Sequence, residues 1–344
     1  MSSKTFNWRI SLPQVLLLCF LLIGAAVAND GKRHEADPWL RPAAAPAPDD
    51  NLPNASRIQL GEMLFWDPRL SRKGSMSCAS CHNPALGWSD GLPTAVGFDM
   101  QILGRATPTI LNTAFNTIQM WDGRKANLED QALGPIAAGG EMNLPLGEMV
   151  TRLQNIPGYA PEFEKAYPGQ GISEVTVARA IASFERTVLS TESPFDRWRK
   201  GDQKAMSASA KHGFELFTGK ANCAVCHQGF NFTDNGFHNI GVKDPGAEPD
   251  VGRFAQRKVK SMQGAFKTPT LRDVALTAPY MRNGMYKTLT EVVEHYNRGG
   301  DVKENLDINM APLNLTHEEC QDIVAFMESL TGAPRLVSVP VLPR

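Results

Sequence analysis

The chain has 344 residues, of which 42% are hydrophobic and 21% are charged, as in an ordinary globular protein. Its formal net charge is −1, so the composition argues against a nucleic-acid partner, which would need a basic surface. The length fits about two domains.

The N-terminus has the pattern of an export signal. Lys4 and Arg9 precede an apolar run, and Ala26-Val27-Ala28 has the form of a cleavage site. The run is shorter than the ~20 residues that a spanning helix needs. We therefore predict a signal peptide over 1–28, a periplasmic protein and no stable membrane span after cleavage; a retained anchor is the alternative. The Ala- and Pro-rich stretch 29–55 is predicted to be a mobile linker.

The first chemical motif is Cys78-Ala79-Ser80-Cys81-His82. A Cys-x-x-Cys-His run predicts c-type haem, because the thiols bond to the haem vinyl groups and the histidine becomes the proximal iron ligand. A redox or zinc pair is the alternative for a lone motif. Leu60, Met63 and Leu64 predict a short helix just before it.

Helical patterns return in the middle of the chain. Apolar residues at helical spacing predict one helix over 146–153 and a second over 177–188, with Ser173 as the N-cap of the second. Ser193-Pro194 is predicted to end that second helix. The charged residues around 197–204 are predicted to mark a domain boundary.

The second motif, Cys223-Ala224-Val225-Cys226-His227, repeats the first and also follows a predicted helix. Two motifs in an exported chain predict two covalently bound haem c groups, with His82 and His227 as iron ligands. Cys320 is then the one other cysteine of the mature chain, so no disulfide can form, and its place on an apolar helical face predicts a buried side chain.

The last part of the chain is again helical. Capping boxes at Thr288 and Thr316 open two further helices. Because no strand pattern of any length appears, we predict a mainly α fold of two cytochrome c-like haem domains in tandem. The N-terminal domain spans 56–198, the C-terminal domain spans 199–332, and 333–344 is a tail.

Further segments resemble a known family. They are Thr107-Pro108-Thr109-Ile110-Leu111-Asn112, Trp121-Asp122-Gly123-Arg124, Gln131, Pro135-Ile136, Glu141-Met142, Lys267-Thr268-Pro269-Thr270-Leu271-Arg272 and Leu276-Thr277-Ala278-Pro279-Tyr280. With the haem motifs they make the chain, from about Ser56 to Gly332, resemble the bacterial di-haem cytochrome c peroxidase superfamily and, within it, the MauG class.

The resemblance implies a role for each haem and for four side chains. The N-terminal haem would bind hydrogen peroxide, and the C-terminal haem would pass electrons. Trp121 would relay electrons between them, and Glu141 would be the distal acid–base residue. Gln131 would orient peroxide or Glu141, and Pro135 would limit the space over the iron. Without the resemblance, the same residues fit a core tryptophan, a surface glutamate, a loop amide and a turn proline.

Two departures from other family members concern the iron ligands. Phe98 stands where they have a histidine that caps the peroxidatic iron, so that iron should be open without reductive priming; His212 and His238 are the other candidates for such a cap. Tyr296 stands where they have methionine, as in the MauG class, and is expected to ligate the second iron. Met281, Met285 and His295 are the alternatives for that ligand.

The family often holds a calcium ion between the domains, and this chain matches the ligands of that ion only in part. Thr277 and Pro279 match carbonyl ligands of that ion, but Ala106 replaces the asparagine that joins them.

The resulting expectation is a periplasmic di-haem peroxidase. It would reduce peroxide at an open N-terminal haem and oxidise an external protein donor or protein side chain through high-valent haem iron. One alternative is a conventional cytochrome c peroxidase that takes electrons from a small cytochrome or cupredoxin. The others are a di-haem electron carrier without peroxide chemistry and a haem sensor.

Overall fold

The computed structural model describes residues 37–246 and 248–344. The predicted signal peptide and the start of the predicted linker lie outside the described residues. The mainly α prediction is confirmed. The α-helices are α1 Ala55–Trp66, α2 Cys78–Cys81, α3 Leu128–Ala137, α4 Leu146–Gln154, α5 Tyr159–Ala166, α6 Glu174–Glu185, α7 Pro194–Arg199, α8 Ala208–Thr218, α9 Leu289–Asn297 and α10 His317–Glu328.

Strand structure is slight in the part of the chain that is described. β1 Phe237–His238 pairs antiparallel with β2 Phe266–Lys267, and His238 lies opposite Phe266. Long loops with short 3₁₀ turns join the helices after each haem motif. The loops therefore surround the sites while the helices hold them in place.

Two hydrophobic clusters follow one another along the chain. The first contains buried residues from Leu60 to Val188, and the second contains buried residues from Phe195 to Leu330. In the first cluster α1 crosses α6, and in the second α8 crosses α10. The clusters have the order that the tandem arrangement predicts; the residue boundaries 56–198 and 199–332 stay predictions.

Most predicted helix signals are present, with one exception. Ser173 caps α6, and Thr288 and Thr316 form capping boxes at the starts of α9 and α10. The prediction that Ser193-Pro194 ends the helix over 177–188 is wrong, because α6 ends at Glu185. Ser193 instead caps α7: its Oγ accepts a hydrogen bond from the Asp196 N–H at 3.2 Å.

The segment before α1, which is the described part of the predicted linker, contacts both clusters, and its mobility stays a prediction. The Trp39 ring lies 5.3 Å from the Phe214 ring and 5.0 Å from the Phe232 ring, in the second cluster. Asn51 is fully buried, and its side chain donates to Glu129 on α3 at 2.8 Å. Residues 37–54 are therefore attached to both clusters, because these side chains find partners that composition does not reveal.

The end of the predicted tail is held by a main-chain hydrogen bond. The main chain of Gly158 donates to Arg344 at 2.8 Å, which fastens the end of the predicted tail beside α5. Within residues 37–246 and 248–344, no helix combines the length and apolar character that crossing a membrane requires.

Candidate active site

The first haem motif forms the short helix α2, and His82 caps its C-terminal end. The His82 Nδ1–H donates to the Trp88 carbonyl at 3.1 Å, because a carbonyl can only accept. Burial lowers the pKa of His82, so the ring is neutral. The Nε2 atom is then the free nitrogen, and this is the tautomer that an iron ligand needs.

The second motif repeats this arrangement on a 3₁₀ turn, Cys223–Val225. The His227 Nδ1–H donates to the Phe232 carbonyl at 2.8 Å, and burial lowers the pKa of His227 to about 4. Both histidines therefore offer a neutral Nε2.

Cys78, Cys81 and Cys223 have thiols that burial keeps protonated. Burial raises the pKa of Cys81 to about 11 and that of Cys223 to about 12, and it raises the pKa of Cys78 further still. Zinc and dithiol redox sites instead favour the thiolate. The neutral thiols fit thioether attachment better than the zinc or redox alternative.

A large apolar cavity, here called the second cavity, opens beside the second motif. It encloses about 1450 Å³ of empty space, including its open mouth, and Cys223, Cys226 and His227 lie in its lining. Val293, Leu289, Ile323 and Met327 supply apolar surface. An apolar wall next to two thiols and a free imidazole nitrogen fits a covalently bound haem.

Tyr296, on α9, lines the second cavity together with His227. Burial raises the pKa of the Tyr296 phenol well above its usual range. Of the alternative ligands, Met281 also lines the cavity. His295 is engaged elsewhere, since its Nε2–H donates to the Ile240 carbonyl at 2.8 Å and its Nδ1 lies 2.9 Å from the Tyr286 hydroxyl. Met285 is 40% exposed and outside the cavity lining.

A smaller cavity of about 1030 Å³, here called the first cavity, lies between the two clusters. Gln131 on α3 and Trp121 line it, together with residues 107–111. Pro108 belongs to that stretch, and its carbonyl lies close to the His82 ring. This carbonyl raises the pKa of His82, whereas burial lowers it. The first cavity thus adjoins the first haem motif.

Trp121 lines both cavities. Its indole N–H donates to the Ala106 carbonyl at 2.9 Å, and its own carbonyl accepts from the Lys267 N–H at 2.8 Å. The first half of the chain therefore holds the Trp121 ring and the second half holds its main chain, in a position that adjoins both cavities.

Pro135 and Glu141 lie at the end of α3. Gln131 and Pro135 are four residues apart on that helix, so they share a face. The Glu141 turn folds back onto α3, with Met142 N–H donating to Pro135 O at 3.0 Å. Glu141 is half-buried, and burial raises the pKa of its carboxyl, while the charge of Arg124 opposes the rise.

Phe98 lies on a loop that contacts the Glu141 turn. Its N–H donates to the Gly140 carbonyl at 3.0 Å, and the Lys73 ammonium lies 5.1 Å from its ring centre. The loop is thus beside the site that the resemblance assigns to peroxide. The side chain of Phe98 carries no atom that can ligate iron.

The two histidines considered as caps of the first iron have other partners. His212 is half-exposed on α8 and bonds Asp322 through Nδ1 at 2.7 Å. His238 bonds Asp307 through Nδ1 at 2.7 Å and Asp234 through Nε2 at 2.9 Å. The Asp234 hydrogen bond is the largest cause that raises the pKa of His238 to about 11. His238 lines the second cavity, so neither residue replaces Phe98 at the first site.

The first cavity is lined by the three residues at the positions of the family's calcium ligands, Ala106, Thr277 and Pro279. The Ala106 carbonyl already accepts the Trp121 indole N–H, and the alanine side chain offers no oxygen.

Three cavity residues were not singled out from the sequence. Lys267 and Tyr280 line both cavities, and burial lowers the pKa of Lys267 to about 8. Glu185 lines the first cavity. Lys267 and Tyr280 belong to the segments 267–272 and 276–280, which carry the family resemblance but gave neither residue a role of its own. Glu185 follows Ile181 by four residues, so it lies on a helical face that is otherwise apolar. An acidic residue on an apolar face is the sequence feature that could have identified Glu185 as a candidate site residue.

Fold and site together define a c-type cytochrome with two haem sites, whose cavities meet at a shared tryptophan. Residues 55–204 match the family model described as di-haem cytochrome c peroxidase, and residues 210–331 match the model described as cytochrome c. The matches follow the order of the two clusters.

Relatives extend the match to nearly the whole chain. The methylamine utilization protein MauG of Methylorubrum extorquens is 48% identical over 304 residues, covering 88% of this chain and 86% of the relative. Cytochrome c551 peroxidase of Pseudomonas aeruginosa is 39% identical over 292 residues, covering 83% and 81%. A MauG-like protein associated with microbial copper homeostasis has a solved structure with a TM-score of 0.79 and 29% identity, covering 87% and 95%.

The chain therefore belongs to the di-haem cytochrome c peroxidase family, in which MauG and the cytochrome c peroxidases stand together. It is a di-haem peroxidase, an oxidoreductase whose cofactor is haem c.

Proposed function

We propose that this peroxidase works in the manner of the MauG class. Hydrogen peroxide would be reduced at a haem held by Cys78, Cys81 and His82, and an external protein donor or protein side chain would be oxidised. His227 and Tyr296 hold the second iron. The observation that carries the proposal is that Tyr296 lines the same cavity as His227, whereas His295 and Met285 do not.

The chemistry that the bound haems supply is the transfer of two electrons to peroxide, with storage of the oxidising equivalents. The side chains control protons and geometry. Glu141 takes a proton from one peroxide oxygen and returns it to the other, so that water can leave. Burial raises the pKa of its carboxyl, which makes the ionised Glu141 a stronger base for the proton that it accepts. Gln131 orients the substrate, and Pro135 restricts the space beside it.

Tyr296 sets the electronic character of the second site. A phenolate is a hard, anionic donor and favours ferric or higher-valent iron, whereas a methionine ligand raises the potential. Because burial raises the pKa of the phenol, the proton leaves only when a cation replaces it. The residue therefore fits an iron ligand better than a free phenolate.

Trp121 and Phe98 complete the arrangement. Trp121, which lines both cavities, carries electrons between the two haems. Phe98 leaves the first iron without a side-chain cap from its loop, so the enzyme needs no reductive priming. The predicted export signal supports a periplasmic location, with a periplasmic protein as the electron donor or substrate.

A conventional cytochrome c peroxidase is the second candidate. Met281 lines the second cavity and offers a sulfur ligand, and the Pseudomonas aeruginosa relative is named a peroxidase of cytochrome c551. In that case Tyr296 would be a core tyrosine, and a small cytochrome or cupredoxin would be the donor. The two candidates differ in the second iron's ligand and can be separated spectroscopically.

The test compares three variants of the di-haem protein: Tyr296→Phe, Tyr296→Met and Tyr280→Phe. Tyr280 is a matched control because it lines the same cavity and burial raises the pKa of its phenol to about 12. We expect both Tyr296 variants to change the ferric low-spin signals, Tyr296→Met to raise that haem's reduction potential, and Tyr280→Phe to leave both unchanged.

Peroxide added to the untreated diferric protein tests the first site. We expect one five-coordinate or water-bound haem before addition, a rapid spectral change after it, and carbon monoxide binding to one haem after reduction. Two six-coordinate low-spin haems and no carbon monoxide binding would instead support an electron carrier. An unchanged potential in Tyr296→Met would favour the conventional peroxidase.

A further inference from the structure

The side chain of Glu185 is a buried carboxyl group for which the described part of the chain supplies no hydrogen-bond partner. Glu185 is the last residue of α6, only 4% of it is exposed, and it lines the first cavity with Gln131 and Trp121. Its Oε2 atom is buried and has no hydrogen-bond partner among the described residues. Leaving a buried polar group unpaired costs about 1–3 kcal/mol, so such groups call for an explanation.

Glu129, the acid whose charge acts on Glu185, differs from it in having hydrogen-bond partners. On the facing helix, Glu129 accepts two hydrogen bonds from Arg186, at 2.8 and 3.0 Å, and a third from Asn51 at 2.8 Å. Arg186 directly follows Glu185, yet its guanidinium is directed to Glu129. The helix pair α3 and α6 is thus fastened by Glu129, and Glu185 is not needed for that purpose.

The electrical surroundings of Glu185 favour its protonated form. Burial is the main cause that raises the pKa of Glu185 to about 8; the charge of Glu129 adds to the rise, and the charge of Arg186 opposes it. A neutral acid can donate a proton into the cavity, which an ionised one cannot. In their ionised forms Glu185 and Glu141 each raise the pKa of the Cys78 thiol, so both carboxyls lie near the first haem-attachment site.

Peroxide reduction consumes protons as well as electrons: one peroxide, two electrons and two protons give two molecules of water. Glu141, as proposed, moves a proton between the peroxide oxygens and adds none. A proton source inside the pocket is therefore still required, and a protonated carboxyl that faces the cavity is suited to that task.

We propose that Glu185 is the internal proton donor of the first haem pocket. Its carboxylic O–H bond breaks as a proton passes toward the reduced peroxide oxygen, which becomes water, and the carboxylate is protonated again from solvent. The external protein donor supplies the two electrons. This role rests on the proposed reduction of peroxide at the first haem but not on the identity of the second iron's ligand.

The test uses the di-haem protein with Glu185→Gln, Glu185→Asp and, as control, Glu174→Gln, which changes an exposed glutamate on the same helix. Glutamine has the size of the protonated glutamate but no proton to give. We expect unchanged haem content and resting spectra, an unchanged KM for peroxide, and a kcat lowered about tenfold to a hundredfold in Glu185→Gln. Glu174→Gln should match the parent, and Glu185→Asp should recover part of the rate.

Infrared difference spectra, recorded as peroxide reacts, supply a readout that a structural role would not move. In the parent, we expect the C=O stretching band of a protonated carboxyl to disappear as peroxide reacts. The band that disappears should lie at a shifted frequency in Glu185→Asp, and no such band should disappear in Glu185→Gln. A normal kcat, a persistent band in Glu185→Gln, or an altered resting spectrum in that variant would each overturn the proposal. Failure of Tyr296 ligation would leave these measurements unaffected.

Discussion

His82 and His227 each donate Nδ1–H to a main-chain carbonyl, Trp88 and Phe232 respectively. The bond fixes the ring plane and makes Nε2 the free base, and burial lowers the pKa of both rings. An imidazole prepared in this way loses no proton and little freedom when it binds iron. The pentapeptide alone does not specify the carbonyl, which comes from the loop five or six residues later.

Glu141 is the residue whose removal should most affect peroxide chemistry. Replacement by glutamine removes the group that transfers the proton, and acid–base catalysis contributes about 10²–10⁴-fold. We therefore expect Glu141→Gln to slow the peroxide-induced spectral change by at least ~10²-fold. Stopped-flow spectroscopy of the diferric protein measures it.

The pH profile of the same step gives an independent check. Glu141 must be ionised to accept the first proton, and burial raises the pKa of its carboxyl above the ordinary 4.5. The rate should therefore rise as pH increases through that raised pKa, and this limb should vanish in Glu141→Gln. Glu148→Gln, at an exposed position on α4, is the control and should change neither the rate nor the profile.

The helices before the haem motifs carry the same local pattern. Gly61 and Phe65 in α1, and Gly213 and Phe217 in α8, are each four residues apart. Each phenylalanine ring lies 6.4 Å from the ring of its motif histidine. The glycine lets a second helix cross closely, and the crossing sets the phenylalanine against the histidine.

The two crossing glycines leave no room for a side chain. A Cβ on Gly61 would lie 1.9 Å from Ala180 O on α6, and one on Gly213 would lie 1.9 Å from Asp322 O on α10. Since backbone atoms cannot turn aside as a side chain can, we expect Gly61→Ala or Gly213→Ala to lower the free energy of unfolding by about 1–3 kcal/mol or more. Denaturant unfolding of the di-haem protein measures it.

Gly147 in α4 is the control for this prediction. No atom lies within 4 Å of a Cβ placed there. Gly147→Ala should therefore stabilise the helix by roughly 0.5–1 kcal/mol, as expected for an unhindered helical position. Equal effects at the three glycines would show that close crossing is not what the first two provide.

At the scale of the whole molecule, the two clusters meet around Trp121. Lys267 N–H donates to Trp121 O at 2.8 Å, and Ala106 N–H donates to Arg282 O at 2.6 Å. The Arg253 guanidinium donates to Asp122 O at 2.9 Å. The first two contacts join main chains from both halves, so the spacing of the two cavities does not depend on flexible side chains alone.

Each half should hold its own haem. We expect Cys223→Ser combined with Cys226→Ser to leave one covalent haem per chain, because the first motif keeps its thiols and a separate hydrophobic cluster. The mass of the intact protein and its haem content after denaturation measure this. Loss of both haems would mean that attachment in one half requires the other.

The sequence determined what depends on residue type and short spacing. Two Cys-x-x-Cys-His runs, amphipathic periods and capping boxes predicted the haem sites and most of the helices, because these signals act within a few residues of the chain. The tertiary structure decided what depends on residues distant in the chain. It ended α6 at Glu185 rather than at Ser193, attached residues 37–54 through Trp39, and left Oε2 of Glu185, inside a cavity, without a hydrogen-bond partner in 37–246 and 248–344. These outcomes follow from packing and burial, and packing partners are set by the fold rather than by local pattern.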